Sequence, residues 1–115
     1  MSERSEYAPG VPSWVDLGTT DAAAARSFYG ELMGWSFEVG PPETGHYTNA
    51  QVRGLDVAGV YELSPEMRTE GSPPNWMTYI SVSNADDVAE QISSAGGRVV
   101  MGPMDVMEYG RMAVA

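Results

Sequence analysis

The chain has 115 residues, no cysteine, and a formal net charge of −10 set by 16 acidic against 6 basic side chains. The missing thiols exclude disulfides, zinc–thiolate centres and cysteine nucleophiles, and because every basic residue is arginine, lysine Schiff-base chemistry is excluded as well. So acidic a chain lacks the cations that neutralise phosphates, which argues against nucleic acid and favours a cationic partner, and no apolar run reaches the ~20 residues of a membrane span.

Residues 1–10 are polar and read as a disordered leader without the apolar core of a signal peptide, so a cytoplasmic location is the simplest expectation. From Val11 to Gly18 the alternation around Val15, Asp16 and Leu17 predicts a strand. Asp21 then caps a helix whose Ala25, Phe28, Tyr29, Leu32 and Met33 form one apolar stripe for packing on a sheet, and Gly34 stops it. Strands follow at Trp35–Val39, Tyr47–Val52 and Leu55–Leu63, the last two separated by a turn at Arg53 and Gly54. Residues 64–74, rich in proline and charge, read as a linker. Beyond it come a strand at Trp76–Val82, a helix capped by Asn84 with Ala85, Val88, Ala89 and Ile92 as its core stripe, a strand at Arg98–Met101, and room for one more strand in Met104–Ala115. Met101, Met104, Met107 and Met112 cluster in this last part, as gap-filling core residues or as the lining of an adaptable pocket.

The order strand, helix, glycine stop, strand, Gly-Pro occurs twice. At a constant offset Pro12 meets Pro74, Trp14 meets Trp76, Gly34 meets Gly96, Gly40 meets Gly102 and Pro41 meets Pro103. Such duplication implies a paired architecture, with a ligand cleft where the copies meet. The chain therefore reads as one α+β domain over residues 11–115: module one at 11–63, the linker at 64–74 and module two at 75–115, with the second module incomplete at its C-terminal strand.

The segment Pro12-Ser-Trp-Val-Asp16, the later Asp21, and the run Ser27-Phe-Tyr-Gly-Glu-Leu-Met-Gly-Trp35 resemble the opening module of the vicinal-oxygen-chelate superfamily, which groups glyoxalase I, bleomycin-resistance proteins and extradiol dioxygenases. Ala95-Gly-Gly-Arg-Val99 is similar to the helix end of that family's second module, and Gly110-Arg-Met-Ala113 to one of its late strands. More narrowly, the chain is similar to actinobacterial two-domain members labelled glyoxalase-like or hydroxylase, of which it would be an N-terminal half. The resemblance implies two βαβββ modules forming a cup-shaped mixed sheet. In metal-dependent members, a divalent ion in that cup is held by His, Gln or Glu from the first and last strands of each module.

By that pattern the first-strand ligand positions fall near Trp14 or Val15 and near Trp76 or Met77, none of which ligates a hard metal. Tyr61-Glu-Leu63 matches the family's ligand-bearing strand, so Glu62 is the single matching donor; its bland reading is an exposed strand carboxylate. Asp16 sits inside a strand, either paired with an arginine, facing solvent, or buried with a raised pKa as an acid or base. His46, the one histidine, lies in a glycine-flanked turn, as a second catalytic candidate or a solvated side chain. Trp14 and Trp76 are candidates for stacking walls facing each other across the cup, or plain core anchors. Tyr47, Tyr61 and Tyr79 are candidates to add hydroxyls to the pocket, or pack elsewhere.

These readings lead to a metal-independent cup that binds a small organic molecule, cationic or aromatic, with no cofactor expected. One alternative is a divalent-metal-dependent lyase, dioxygenase or hydroxylase using Glu62 and donors from outside the chain. Another is an interaction module with an open sheet edge. A homodimer, or association with a missing C-terminal half, is the expected assembly.

Overall fold

A computed structural model of the chain describes residues 7–106 and 110–115. Of the leader, only Tyr7–Gly10 falls among them, and Met107 lies outside them. The described residues divide into two compact units, Pro12–Tyr79 and a second made of the chain start to Val11 with Ile80–Ala115.

The Pro12–Tyr79 unit carries β1 (Pro12–Thr19), α1 (Ala22–Met33), β2 (Ser36–Val39), a 3-10 turn (Pro42–Thr44), β3 (Thr48–Val52), β4 (Leu55–Glu62), α2 (Pro65–Thr69) and nearly all of β5 (Asn75–Ile80). Five strands form one sheet in the order β2-β3-β4-β1-β5. β1 and β4 are parallel neighbours while β4, β3 and β2 run antiparallel in turn, which makes the sheet mixed. This is the predicted β-α-β-β-β order, extended by the first strand of the second copy. The stretch 64–74 is not a plain linker, because Ser64 accepts from the amide of Met67 and starts the short helix α2, with Pro65 in its first turn.

Register divides the sheet into two faces. Leu17 lies opposite Val60, Val60 opposite Thr48, and Ala58 opposite Ala50. All five are buried and form the core on the α1 side, where a methyl added to Gly30 of α1 would rest on Phe37. The other face carries Asp16, Gly18, Gly59 and Tyr61, offset by one residue in each strand.

α1 begins where three side chains satisfy its orphan amides: Asp21 accepts from Ala24, Thr19 accepts from Asp21, and Glu62 of β4 accepts from Ala22 at 3.1 Å. It ends at Gly34, whose φ of 71° is the left-handed conformation that residues with a Cβ resist. The apolar stripe predicted on α1 is only partly covered. Tyr29 packs against Trp35 and Trp76, whereas Phe28, Leu32 and Met33 are 57%, 62% and 53% exposed. Two small alanines and short sheet side chains beneath the helix leave its far flank without partners in this unit.

In the second unit, Gly10 donates to Ser81 and Ser81 donates back to Val11, tying the chain start to the segment after β5. α3 (Ala85–Ser94) starts at Asn84, which accepts from Asp87, and buries Ala89. β6 (Met101–Val106) and β7 (Gly110–Val114) pair antiparallel in a small sheet of their own. The strand expected at Arg98–Met101 begins only at Met101. Gly97 folds back to donate to Ile92, and Gly102-Pro103 lies inside β6 at a register irregularity between Met101 and Met104. Arg111 of β7 clamps Asp86 with two hydrogen bonds of 2.8 and 3.1 Å and reaches Asp105 of β6. No described helix is long and apolar enough to cross a membrane.

Replacing the capping residue, Asp21→Ala, is expected to lower stability by about 1 kcal/mol, read as a fall in denaturant midpoint at unchanged slope. An unchanged midpoint would show that Glu62 alone suffices to hold the helix start.

Candidate functional site

Alternation along β1 places Trp14, Asp16 and Gly18 on the sheet face opposite α1. Across from them β4 supplies Gly59 beside Asp16 and Tyr61 beside Gly18, and Asn49 of β3 faces Gly59. Tyr47 stands immediately before β3, at the end of a loop closed by the Gly40 amide donating to its carbonyl. On this face the backbone makes the room. A methyl on Gly59 would collide with the Tyr47 ring, and one on Gly18 would press on the Tyr61 phenol, so two glycines let two tyrosines lie close over the strands. Their rings stack at 6.2 Å and 13°.

Asp16 sits beneath these rings, only 4% exposed. Its Oδ2 accepts a hydrogen bond from the Tyr47 hydroxyl at 3.2 Å, and that hydroxyl oxygen accepts from Trp14 Nε1 at 2.9 Å. Oδ1 is buried and has no hydrogen-bond partner among the described residues. Burial pushes the carboxyl above its usual range, against the opposing pull of the Tyr47 and Tyr79 hydroxyls. Tyr79 stands beside the carboxylate without the geometry of the Tyr47 bond. Burial likewise raises all three phenols, and the nearby Asp16 charge adds to the effect, so they are neutral donors at physiological pH.

The structure thus brings together Asp16, Trp14, Tyr47, Tyr61 and Tyr79. The expected alternatives for Asp16, an arginine partner or solvent, are both overturned: its partner is a phenol and it is buried. Trp76 is not the counterpart of Trp14. An odd spacing from Tyr79 turns it to the α1 side, where it donates to the Tyr29 hydroxyl at 3.0 Å and packs edge-on against Tyr29 and Trp35. The two indoles therefore do not form facing walls. His46 is exposed, held with φ 59° in the turn, and its Nδ1 lies 3.1 Å from the Gly40 carbonyl oxygen. Although it precedes Tyr47 in the chain, its ring forms no hydrogen bond to Asp16 among the described residues.

Glu62 pairs in register with Thr19 on the α1 side of the sheet, and its carboxylate is engaged at the start of that helix. Metal ligands do not converge here: Asp16 is ringed by phenols, Glu38 shares its face but stands three strands away on β2, where it accepts from Gln51, and no group of three or more metal-ligating side chains comes together among the described residues. Two open depressions along and beside α3, one lined by Asp87, Glu90, Gln91 and Ser94 and the other reaching Arg111, belong to the second unit and contain none of the candidate residues. Sequence reasoning missed Gly59. A glycine interrupting an otherwise apolar strand, as Gly59 does, is the signal that marks such a close approach.

Residues 12–115 match the model of the Glyoxalase/Bleomycin resistance protein/Dioxygenase superfamily, and the chain belongs to that family. It is 42% identical over 115 residues to "Putative glyoxylase CFP32" of Mycobacterium tuberculosis and of Mycobacterium bovis, covering 98% of this chain and 44% of theirs. It is 38% identical over 121 residues to "Anthracycline biosynthesis protein DnrV" of Streptomyces peucetius, covering 96% of this chain and 44% of that one. The chain therefore spans less than half the length of these relatives. Methylmalonyl-CoA epimerase from Mycobacterium tuberculosis shares the fold, with a TM-score of 0.55 at 17% identity over 93% of this chain and 81% of that one.

Two outcomes test this geometry. Gly59→Ala should displace the Tyr47 ring, break its bonds to Trp14 and Asp16, and cost about 1–3 kcal/mol as an overpacked site; a stability equal to wild type would mean the ring is not seated there. Asp16 binds its proton more tightly folded than unfolded, so its contribution is most favourable below the ordinary carboxylate pKa and erodes as pH rises through the raised value. Asp16→Asn should therefore gain stability relative to wild type across that window and level off above it. A difference flat with pH in denaturant titrations would contradict the buried carboxyl.

Proposed function

We propose that the Asp16 face binds a small organic molecule, planar and aromatic or carrying a protonated amine, without a metal ion held by this chain. The observation that carries this reading is Asp16 Oδ1: a buried acceptor without a partner among the described residues, in a shell of phenols and one indole. Leaving such an atom unpaired is costly, and a ligand N–H or O–H would relieve that cost. Tyr47, Tyr61, Tyr79 and Trp14 supply flat, polarisable surface with hydroxyls at the rim, suited to a ring system with polar substituents. A cation would be held by both the carboxylate and the ring faces, and the net charge of −10 would steer it inward.

The likeness to an anthracycline biosynthesis protein supports an aromatic ligand, since anthracyclines are fused-ring phenols. The absence of a converging donor set among the described residues supports binding through shape and hydrogen bonds in place of coordination.

Titrating the chain with a neutral hydroxyanthraquinone and with an aromatic amine, each followed by tryptophan fluorescence in excess chelator, tests the reading. Saturable binding of at least one is expected, weakened roughly tenfold or more in Asp16→Asn through loss of the charge-assisted bond. Binding that requires an added divalent ion, or that ignores the substitution, would overturn it.

A further inference from the structure

Resting on the reading that the Asp16 face receives a ligand, we infer that Trp14 fixes the direction of the hydrogen-bond chain ending on Asp16 and so reserves Oδ1 as the one carboxyl oxygen that exchanges a proton with the bound molecule. An indole N–H can only donate. At 2.9 Å from the Tyr47 hydroxyl, Trp14 Nε1 therefore makes the phenol oxygen an acceptor. Tyr47 is left with one hydrogen to give, and Asp16 Oδ2 at 3.2 Å takes it. With Oδ2 accepting that bond, the neutral carboxyl is favoured with Oδ2 as its carbonyl oxygen, the stronger acceptor, and its proton on Oδ1.

Oδ1 accepts no bond of that geometry among the described residues. It lies on the same face as Tyr61 and Tyr79, and the Tyr79 hydroxyl beside the carboxyl opposes the effect of burial without forming such a bond. When the carboxyl is neutral the proton sits on Oδ1; when it is ionised Oδ1 offers its lone pairs. The groups facing the carboxyl from the surrounding elements are Tyr47 before β3, Tyr61 on β4, Tyr79 on β5 and Trp14 on β1 itself, all uncharged and none of them a ready proton acceptor. Burial also favours the neutral form. The step assigned to the site moves one proton between Oδ1 and a basic or acidic atom of the ligand, such as a phenol, enol or amine, leaving carboxylate in one direction and carboxylic acid in the other. Trp14 is a positioning residue in this scheme, acting through Tyr47. Without its donated hydrogen, the Tyr47 hydroxyl is able to turn, accept from Oδ2 and reverse the chain.

The ligand-free protein labelled with 13C at aspartate side chains tests this, with the Asp16 signal assigned by its loss in Asp16→Asn. Tyr47→Phe removes the donor to Oδ2 and is expected to raise the Asp16 titration midpoint by about one pH unit, and Trp14→Phe, which weakens that donor, by about half a unit. Trp76→Phe removes the same kind of indole–phenol bond on the other side of the sheet and should leave the midpoint where it is. In infrared difference spectra, the C=O stretch of the neutral Asp16 carboxyl should move to higher wavenumber in Tyr47→Phe, because the oxygen accepting that bond is the carbonyl oxygen. A Trp14→Phe midpoint equal to wild type, or a stretch unmoved in Tyr47→Phe, overturns the assignment. Both readouts need no ligand, so their failure is separate from a failure of the fluorescence titrations, which bears on the binding reading alone.

Discussion

A carboxylate taken out of water in the middle of a strand must find compensation, and the way Asp16 does so organises one whole face of the five-stranded sheet. One oxygen is satisfied by Tyr47, which needs the Gly59 backbone beneath it and the Trp14 indole beside it. The other oxygen has no hydrogen-bond partner among the described residues. Folded proteins tolerate few such atoms, because each keeps the cost of leaving water without a new partner. Each neighbour of Asp16 follows from this constraint: neutral phenols in place of arginines, glycines where rings must lie flat, and a parallel β1–β4 pairing that sets the glycine of one strand beside the aspartate of the next.

The opposite face shows what the same residue types do without a buried charge. Tyr29, Trp35, Phe37 and Trp76 pack edge to face, with Tyr29 stacked on Trp35, between α1 and the sheet, and an exposed indole–phenol bond runs from Trp76 to the Tyr29 hydroxyl. Glu62 belongs to this side too, where its carboxylate completes the start of α1. Aromatic side chains and carboxylates occur on both faces of one sheet, and only burial and strand register separate the site from its structural counterpart.

Local signals made much of this readable from the residues. Asp21 and Asn84 begin helices because a short side chain with an oxygen meets the third amide on, and Gly34 ends one because it alone takes a left-handed turn at little cost. The repeat at constant offset gave the order of elements in both copies. What depended on contacts distant in sequence was less legible. The equivalence of Trp14 and Trp76 suggested facing walls, but a tryptophan's direction depends on which face its strand has turned to the helix. Gly102-Pro103 looked like a strand end and lies within β6, since the antiparallel partner β7 bridges the irregularity. The α1 stripe had the right period, yet periodicity states which residues share a side of the helix and not how wide the surface beneath them is. Asp16 was singled out because a charge within an apolar strand is conspicuous. Its partner Tyr47 was out of reach of any spacing rule, being brought alongside only by the β3–β4–β1 register.

The two glycines under the phenols have an evolutionary consequence. The two positions are not equivalent: a carbon added at Gly59 drives the Tyr47 ring off the carboxyl, whereas one added at Gly18 presses on Tyr61 and leaves the Tyr47–Asp16 bond in place. A lineage is therefore free to vary the aromatic surface through Gly18, while Gly59 stays tied to the one bond that holds the carboxyl.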